Sequence, residues 1–129
     1  MRRAIATPAA PRPIGPYSQA IATDGFVFCA GQIGLDPATG ALVTGGTAAE
    51  AEQAIRNLEA VLAASGLGLG DVAKTTLFLV DLADGPAVGA VYAARFPTPH
   101  PARSTVQVSA LPAQARVEIE AIAVRPEGS

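Results

Sequence analysis

The fold is decided by PARSTVQV at residues 101–108 and RVEIEAIAV at residues 116–124, two stretches with the period of two that is typical of β-strands. Residues 109–115, which join them, favour a turn. Two strands joined in this way can bring a lone arginine and a carboxylate together inside an otherwise apolar sheet. The two strands therefore predict a site for a small substrate that carries a carboxylate group.

Composition and charge predict one globular domain over residues 1–129. Apolar residues make up 50% of the 129, which is enough for one hydrophobic core and leaves no room for a second domain of ordinary size. Nine basic and eleven acidic side chains give a net charge of −2. Beyond Arg2 and Arg3, the basic residues form no cluster that could neutralise a phosphate backbone, so we expect no nucleic-acid partner.

The N-terminal segment and the single cysteine indicate where the protein resides. No apolar run is long enough to span a bilayer, and four prolines interrupt the segment in which a signal peptide would have its apolar core: Pro8, Pro11, Pro13 and Pro16. Cys29 has no second cysteine for an internal disulfide, and with the only histidine, His100, it provides too few ligands for a zinc site. We therefore expect a cytoplasmic protein with no membrane partner, metal or other cofactor.

The first part of the chain predicts a β-hairpin. Two short runs rich in β-forming residues, 20–23 and 26–30, are separated by Asp24-Gly25. This dipeptide is favoured in two-residue turns because both positions tolerate a positive φ. The chain is therefore expected to open with two antiparallel strands.

A long amphipathic helix is predicted over residues 47–65. Thr47 and Glu50 have the spacing of a capping box, in which the two side chains accept from orphan amides at the start of a helix. Behind them, apolar residues recur at helical spacing opposite a polar face. Gly66 is expected to end the helix in the left-handed conformation.

The rest of the chain completes an α+β pattern. Residues 72–80 are rich in β-forming side chains, and a second helix is predicted to begin at residues 84–86 and to end before Pro97. With the two final strands, the predicted order is strand, strand, helix, strand, helix, strand, strand. This order favours two helices that cover one face of a single sheet.

Five blocks, spread in order over nearly the whole chain, resemble the RidA (YjgF) family: residues 14–19 (IGPYSQ), 31–33 (GQI), 71–76 (DVAKTT), 101–105 (PARST) and 117–123 (VEIEAIA). The resemblance implies a chorismate-mutase-like α+β fold, a single mixed sheet with two helices packed on one face. It also implies a homotrimer with clefts between its subunits. For RidA proper it implies hydrolysis of reactive enamine and imine acids, such as 2-aminoacrylate and 2-iminobutanoate, to 2-oxo acids and ammonia.

Arg103 is the predicted anchor for the substrate carboxylate. Its planar guanidinium can hold a carboxylate through two parallel charge-assisted hydrogen bonds, a geometry that lysine lacks. Judged from the residues alone, a cross-strand ion pair with Glu118 or Glu120 is an alternative role for this side chain. The resemblance to RidA favours the anchor.

Glu120 is the predicted base that orients a water molecule towards the imine carbon and accepts its proton. The resemblance implies this role, because Glu120 is taken to match the family's position for it. By alternation Glu118, Glu120 and Ile122 share one face of their strand, so we expect Glu120 to be partly buried. Two solvated glutamates on an edge strand are the alternative interpretation.

The resemblance further implies that Tyr17, Gly31 and Thr105 shape the substrate pocket. The phenol of Tyr17 could donate to a substrate atom, although an isolated tyrosine is more often a packed aromatic with a wet hydroxyl. Gly31 has no side chain, so its amide could approach a ligand closely, or it could simply end its strand. Thr105 shares a strand face with Arg103 and is expected to line the same pocket without acting as a nucleophile.

Two patterns that resemble catalytic motifs are given structural roles. Cys29 lies between Phe28 and Ala30 and is predicted to be a small core hydrophobe, since His100, between two prolines, offers it no base. Residues 66–70, GLGLG, follow a helix and precede a strand, which is the reverse of a phosphate-binding loop. They are predicted to be a connection.

Two departures from the family pattern fall in the predicted cleft region. Gly89 stands where relatives typically carry asparagine, and Ala30 stands where many active members carry serine. Each replacement removes a side-chain hydrogen-bonding group. The predicted 2-iminobutanoate/2-iminopropanoate deaminase therefore has an alternative: a non-catalytic trimer of the family that binds a small carboxylate metabolite or acts as a chaperone-like or regulatory protein.

Overall fold

The computed structural model describes residues 1–126, which form one mixed sheet and two α-helices. The elements in chain order are Arg3–Ile5 (β1), Ala20–Ala22 (β2), Phe26–Gln32 (β3), Thr47–Ala64 (α1), Val72–Leu79 (β4), Gly85–Arg95 (α2), Ala102–Gln107 (β5) and Val117–Val124 (β6). Each predicted strand and helix is present. The sequence pattern missed only β1, because three residues are too few to show a period.

The six strands lie in the order β1-β2-β3-β6-β4-β5. All neighbours are antiparallel except β4 and β5, which are parallel and are connected through α2. Both helices pack on one face of this sheet: α1 contacts β3 and β6, and Tyr92 of α2 reaches Thr75 of β4. The predicted α+β fold, with a mixed sheet and helices on one face, is confirmed.

One prediction about the sheet is wrong: β5 and β6 are not neighbours. Because α2 returns the chain parallel to β4, β5 lies at the sheet edge and β4 separates it from β6. Arg103 is opposite Thr75 of β4, whereas Glu120 is opposite Thr76. Successive residues of a strand point to opposite faces, so Arg103 and Glu120 project from opposite faces of the sheet.

The predicted opening hairpin is confirmed. β2 pairs antiparallel with β3, with Ala20 opposite Cys29. The turn is closed by a hydrogen bond of 2.8 Å from the amide of Thr23 to the carbonyl of Phe26. The N-terminal loop lies between β1 and β2, which pair antiparallel, so both of its ends are fixed to the sheet.

Helix α1 covers the sheet with a row of apolar side chains, all of them buried: Ala51, Ala54, Ile55, Leu58, Val61 and Leu62. Burial of each large aliphatic side chain in this row contributes about 1.5–3 kcal/mol. The helix ends at Ala64, one residue before the predicted end, and Gly66 adopts a φ of 77° as expected. Residues 66–70 connect α1 to β4, in agreement with the prediction.

The predicted capping box at the start of α1 is wrong. The N-cap is Gly46 and no side chain caps the helix, since Thr47 is already its first residue. The Thr47 hydroxyl donates to Oδ2 of Asp84 at 3.0 Å, and the buried Glu50 carboxylate accepts from the amide of Arg116 at 2.8 Å. Both side chains therefore bond to distant segments instead of the helix's own amides.

The buried side chain of Gln19 holds the N-terminal loop. Its Nε2 donates to the carbonyls of Thr7, Ala10 and Pro11, and its Oε1 accepts from the amide of Thr7 at 2.7 Å. A fully hydrogen-bonded buried amide fixes the backbone that it contacts. The loop that leads to Arg12 is therefore held against the sheet.

A second buried amide, that of Asn57, holds the segment after β3 against α1. Its Nδ2 donates to the carbonyls of Ile33 and Leu35 at 3.1 and 2.8 Å, and its Oδ1 accepts from Gln53. We expect Asn57→Ala to lower the free energy of unfolding by about 1–3 kcal/mol, because buried polar groups lose their partners. Urea denaturation measures this.

The matched control on the same helix is Arg56→Ala. Arg56 is exposed, and its Nε is 3.5 Å from Oε1 of Glu52 in an ion pair. Its replacement should change stability by less than about 0.5 kcal/mol. Equal losses in the two variants would contradict a special role for Asn57.

Candidate active site

Tyr17, Gly31 and Glu118 line one cleft, together with Arg12 and Gln19. We call this the Tyr17 cleft. The turn that presents Tyr17 is closed by a hydrogen bond from its amide to the carbonyl of residue 15, and its hydroxyl accepts from the amide of residue 14 at 3.3 Å. The Tyr17 side chain is half-exposed and lines the cleft.

Gly31 allows the carboxyl group of Glu118 to approach the backbone of β3. A Cβ atom at Gly31 would lie 2.7 Å from Cδ of Glu118 and 2.9 Å from its Oε1. The register of β3 against β6 shifts between Cys29 and Gln32, so Gly31 lies in this irregular part of the strand. The sequence predicted that the Gly31 amide approaches a ligand, which stays a prediction; the group that lies beside Gly31 in this structure is the Glu118 side chain.

Glu118 is half-buried, and its surroundings raise its pKa. Burial disfavours the charged form and is the larger cause, and repulsion from Glu120 adds to it. A carboxylate whose pKa is raised is a stronger base than an ordinary glutamate, so Glu118, in a cleft that Tyr17 also lines, is suited to accept a proton. Sequence reasoning did not select Glu118, because alternation puts it on the same strand face as Glu120 and the resemblance is taken to favour Glu120. The fold separates the two, since Glu118 contacts Gly31 and lines the Tyr17 cleft.

Glu120 lies on the same outer face of β6 as Glu118, yet it is exposed. The prediction that it is partly buried is wrong for the described residues, because neither helix covers this face of the sheet. Its neighbours there are Lys74 and Thr76 of β4 and Ile122 of β6. Glu120 is not among the residues that line the Tyr17 cleft.

Arg103 lies on the edge strand β5 and on the helix side of the sheet. Its guanidinium carbon is 4.8 Å from the centre of the Tyr92 ring, a cation–π contact. Within residues 1–126 no carboxylate pairs with it, so the predicted alternative of an ion pair with Glu118 or Glu120 is wrong. Its charged group remains available to a ligand.

The ring of Tyr92, against which the Arg103 guanidinium lies, is held in place by its neighbours. Its hydroxyl is 2.8 Å from the hydroxyl of Thr75, and its ring stacks on that of Phe96 with centroids 4.3 Å apart. Burial raises the pKa of the Tyr92 phenol, although the bond with Thr75 and the charge of Arg103 oppose the shift. Thr105 lies two residues beyond Arg103 and so shares its face of β5.

The predicted site residues therefore fall into three places on the chain. Tyr17 and Gly31 meet in the Tyr17 cleft, where Glu118 joins them. Arg103 and Thr105 lie together on the edge strand. Glu120 lies on the outer sheet face, so the fold of one chain does not bring the predicted arginine and carboxylate together.

The outer sheet face carries exposed apolar side chains. Phe26 and Phe28 of β3 are 46% and 44% exposed, and Val124 of β6 and Val106 of β5 are 41% and 42% exposed. The two phenyl rings are 5.9 Å apart. Large apolar side chains left on one sheet face are typical of an interaction surface.

Cys29 is buried in the core, as predicted, and burial raises the pKa of its thiol to about 12. Only the thiolate reacts readily with disulfide reagents. We therefore expect the native protein to react with an aromatic disulfide at least about 100-fold more slowly than the guanidinium-unfolded chain. Thiol release followed by absorbance measures both rates, and equal rates would contradict the assignment of Cys29 to the core.

The part of the chain that the structure describes offers no membrane-spanning helix and no cluster of metal ligands. Neither of its two α-helices has the length and hydropathy needed to cross a membrane. Over residues 1–126, His, Cys, Asp and Glu side chains do not come together in groups of three or more that could hold a metal ion.

Residues 7–125 match the family described as endoribonuclease L-PSP. The chain is 46% identical over 125 residues to a human protein named 2-iminobutanoate/2-iminopropanoate deaminase, a match that covers 97% of this chain and 91% of the relative. It also resembles the crystal structure of RidA from an Antarctic Psychrobacter, with a TM-score of 0.93, 41% identity and coverage of 95% and 99% of the two chains. For E. coli TdcF with bound serine, the TM-score is 0.90, the identity 39% and the coverage 96% and 99%. The chain therefore belongs to the RidA (YjgF) family.

Proposed function

We propose that the protein hydrolyses reactive 2-imino acids and their enamine tautomers, such as 2-aminoacrylate and 2-iminobutanoate, to 2-oxo acids and ammonia. The observation that carries the proposal is the carboxyl group of Glu118, whose pKa is raised and which lies against Gly31 in the Tyr17 cleft. Relatives that share 46–49% of their residues with this chain bear the name 2-iminobutanoate/2-iminopropanoate deaminase, which supports the same reaction.

In the proposed reaction, the Glu118 carboxylate accepts a proton from a water molecule while the water oxygen bonds to C2 of the imine. The electron pair of the C=N bond moves to nitrogen, which takes up a proton. The resulting carbinolamine then loses its C–N bond as ammonia leaves with a further proton, and the hydroxyl proton is released as the C=O bond of the 2-oxo acid forms. No redox change occurs and one water is consumed.

Glu118 takes the role that sequence reasoning gave to Glu120. The burial of Glu118 and its place in the cleft favour it as the base. Glu120 acts through it, because its negative charge repels that of Glu118 and so raises the pKa of the base.

Arg103 is the proposed anchor for the substrate carboxylate, with Thr105 beside it. Because Arg103 and Glu118 project from opposite faces of one sheet, we infer that β5 of a second copy completes the cleft. A homotrimer, as the resemblance implies, would cover the exposed Phe26 and Phe28 of the outer face. Light scattering should therefore give the mass of three chains, and a monomer would contradict the shared site.

The deaminase activity is tested by supplying the imine directly. An amino-acid oxidase releases 2-iminopropanoate from alanine, and loss of the imine is followed with and without this protein. The expected result is faster loss with the protein present. Unchanged loss with a folded oligomer would contradict the proposal and would favour the non-catalytic alternative, especially if pyruvate still binds.

The remaining expectations about partners and compartment stay predictions. The net charge of −2 does not favour a nucleic-acid ligand. The single buried Cys29 is in keeping with the reducing cytoplasm.

A further inference from the structure

A second cavity adjoins Arg103 on the helix side of the sheet. It has a volume of about 410 Å³, within the range of about 300–1,000 Å³ that is common for small-molecule sites. Its lining comprises Gly89, Tyr92, Ala93, His100, Pro101 and Arg103. We call it the Gly89 cavity, and the reaction described above does not by itself need it.

Gly89 leaves this cavity open. A Cβ atom built at Gly89 would meet no other atom within 4 Å, and the residue lies inside α2 without a positive φ. The backbone therefore does not require glycine at this position. Any side chain here would extend into open space at the edge of the cavity and reduce its volume.

The walls of the Gly89 cavity favour a large apolar group. The aromatic ring of Tyr92 is held by Thr75 and Phe96, and the ring of His100 is 6.5 Å from it. Ala93 adds apolar surface, and no carboxylate is among the lining residues. A flat or branched hydrocarbon group fits such walls, whereas a cationic side chain would find no counter-charge and would be repelled by Arg103.

We propose that the Gly89 cavity is the side-chain subsite of the enzyme and that it admits 2-imino acids with large apolar or aromatic side chains. The inference rests on the proposed function, because Arg103 must hold the carboxylate of the imino acid. With the carboxylate at Arg103, the substituent on C2 can enter the adjoining cavity. Gly89 then sets the largest side chain that the enzyme accepts.

The test compares imines of different size. An L-amino-acid oxidase supplies the imines of alanine, leucine and phenylalanine, and kcat/KM is measured for each. We expect the wild-type protein to hydrolyse the leucine and phenylalanine imines at least as efficiently as the alanine imine. We expect Gly89→Leu to lower the ratio of large-imine to alanine-imine kcat/KM by about 10- to 100-fold, since filled volume excludes the larger group.

Two further variants control for folding and for position. Gly89→Ala should lower the same ratio by a smaller factor, and it carries the test if Gly89→Leu does not fold. Ala90→Leu changes an exposed residue of the same helix that does not line the cavity, so its ratio should equal that of the wild type. Because leucine favours helices more than glycine does, the melting temperature of Gly89→Leu should not fall.

The outcomes separate this inference from the proposed function. Efficient hydrolysis of the alanine imine alone, or an unchanged ratio in both Gly89 variants, would overturn the subsite and leave the deaminase standing. If the wild-type protein hydrolyses none of the three imines, that result contradicts both the proposed function and the subsite. The subsite is supported if the ratio of large-imine to alanine-imine kcat/KM falls in the Gly89 variants and stays unchanged in Ala90→Leu.

Discussion

Arg103→Lys is expected to lower kcat/KM for 2-iminopropanoate by at least about 100-fold. Lysine keeps the positive charge and loses the planar fork that can make two parallel hydrogen bonds with a carboxylate. Loss of one charge-assisted bond in a desolvated cleft costs about 1.5–3 kcal/mol, and loss of alignment adds to that cost. Steady-state kinetics with oxidase-generated imine measures the effect.

The fold should not change in this variant. Arg103 is exposed on an edge strand and its described contact is the face of the Tyr92 ring, which a lysine can still approach. Arg116→Lys is the matched control, since Arg116 is also exposed. Its Nη1 is 3.9 Å from Oδ2 of Asp84, and it lines neither the Tyr17 cleft nor the Gly89 cavity. Full activity in Arg103→Lys would remove this residue from substrate binding.

Glu118→Gln is expected to lower kcat by about 10²- to 10⁴-fold, the range typical of a lost general base. Glutamine is nearly isosteric, so it keeps the fit against Gly31 and cannot accept the proton of water. Glu120→Gln is the matched variant on the same strand face, and we expect it to retain most of the activity. A large loss in Glu120→Gln with little change in Glu118→Gln would restore the role that the sequence predicted for Glu120.

The pH dependence of kcat tests the same assignment. The base acts only when ionised, so activity should fall as the pH drops through the raised pKa of Glu118. This acidic limb should therefore lie above the usual range of a glutamate. Glu120→Gln removes a repelling charge, which should lower the pKa of Glu118 and move the limb to lower pH. A limb that does not move would show that Glu120 has no influence on the base.

Local patterns predicted most of the fold. The helical period of α1, the Asp24-Gly25 turn and Pro97 after α2 are short-range signals, and the structure has these elements where the signals predict them. The position of β5 at the edge of the sheet cannot be predicted from a local sequence pattern. Whether two successive strands are neighbours is decided by the crossover through α2 and by packing across the sheet.

Side-chain partners were predicted less well than elements. Thr47 and Glu50 have capping-box spacing, yet distant Asp84 and Arg116 bind them, because tertiary contacts override local preferences. The choice of the catalytic carboxylate likewise depends on tertiary contacts. Alternation places Glu118 and Glu120 on one face and does not distinguish them, and the resemblance is taken to favour Glu120. The fold brings Glu118 to Gly31 and into the Tyr17 cleft.

The central claim, a deaminase whose site takes Arg103 from one copy and Glu118 from another, is tested most directly with mixed oligomers. Arg103→Lys and Glu118→Gln are co-expressed with different tags, and oligomers that carry both are isolated and assayed on 2-iminopropanoate. In a trimer that carries both variants, one of the three shared sites contains both native residues, so we expect about a third of wild-type activity. Activity no higher than that of the two variants alone would contradict the account.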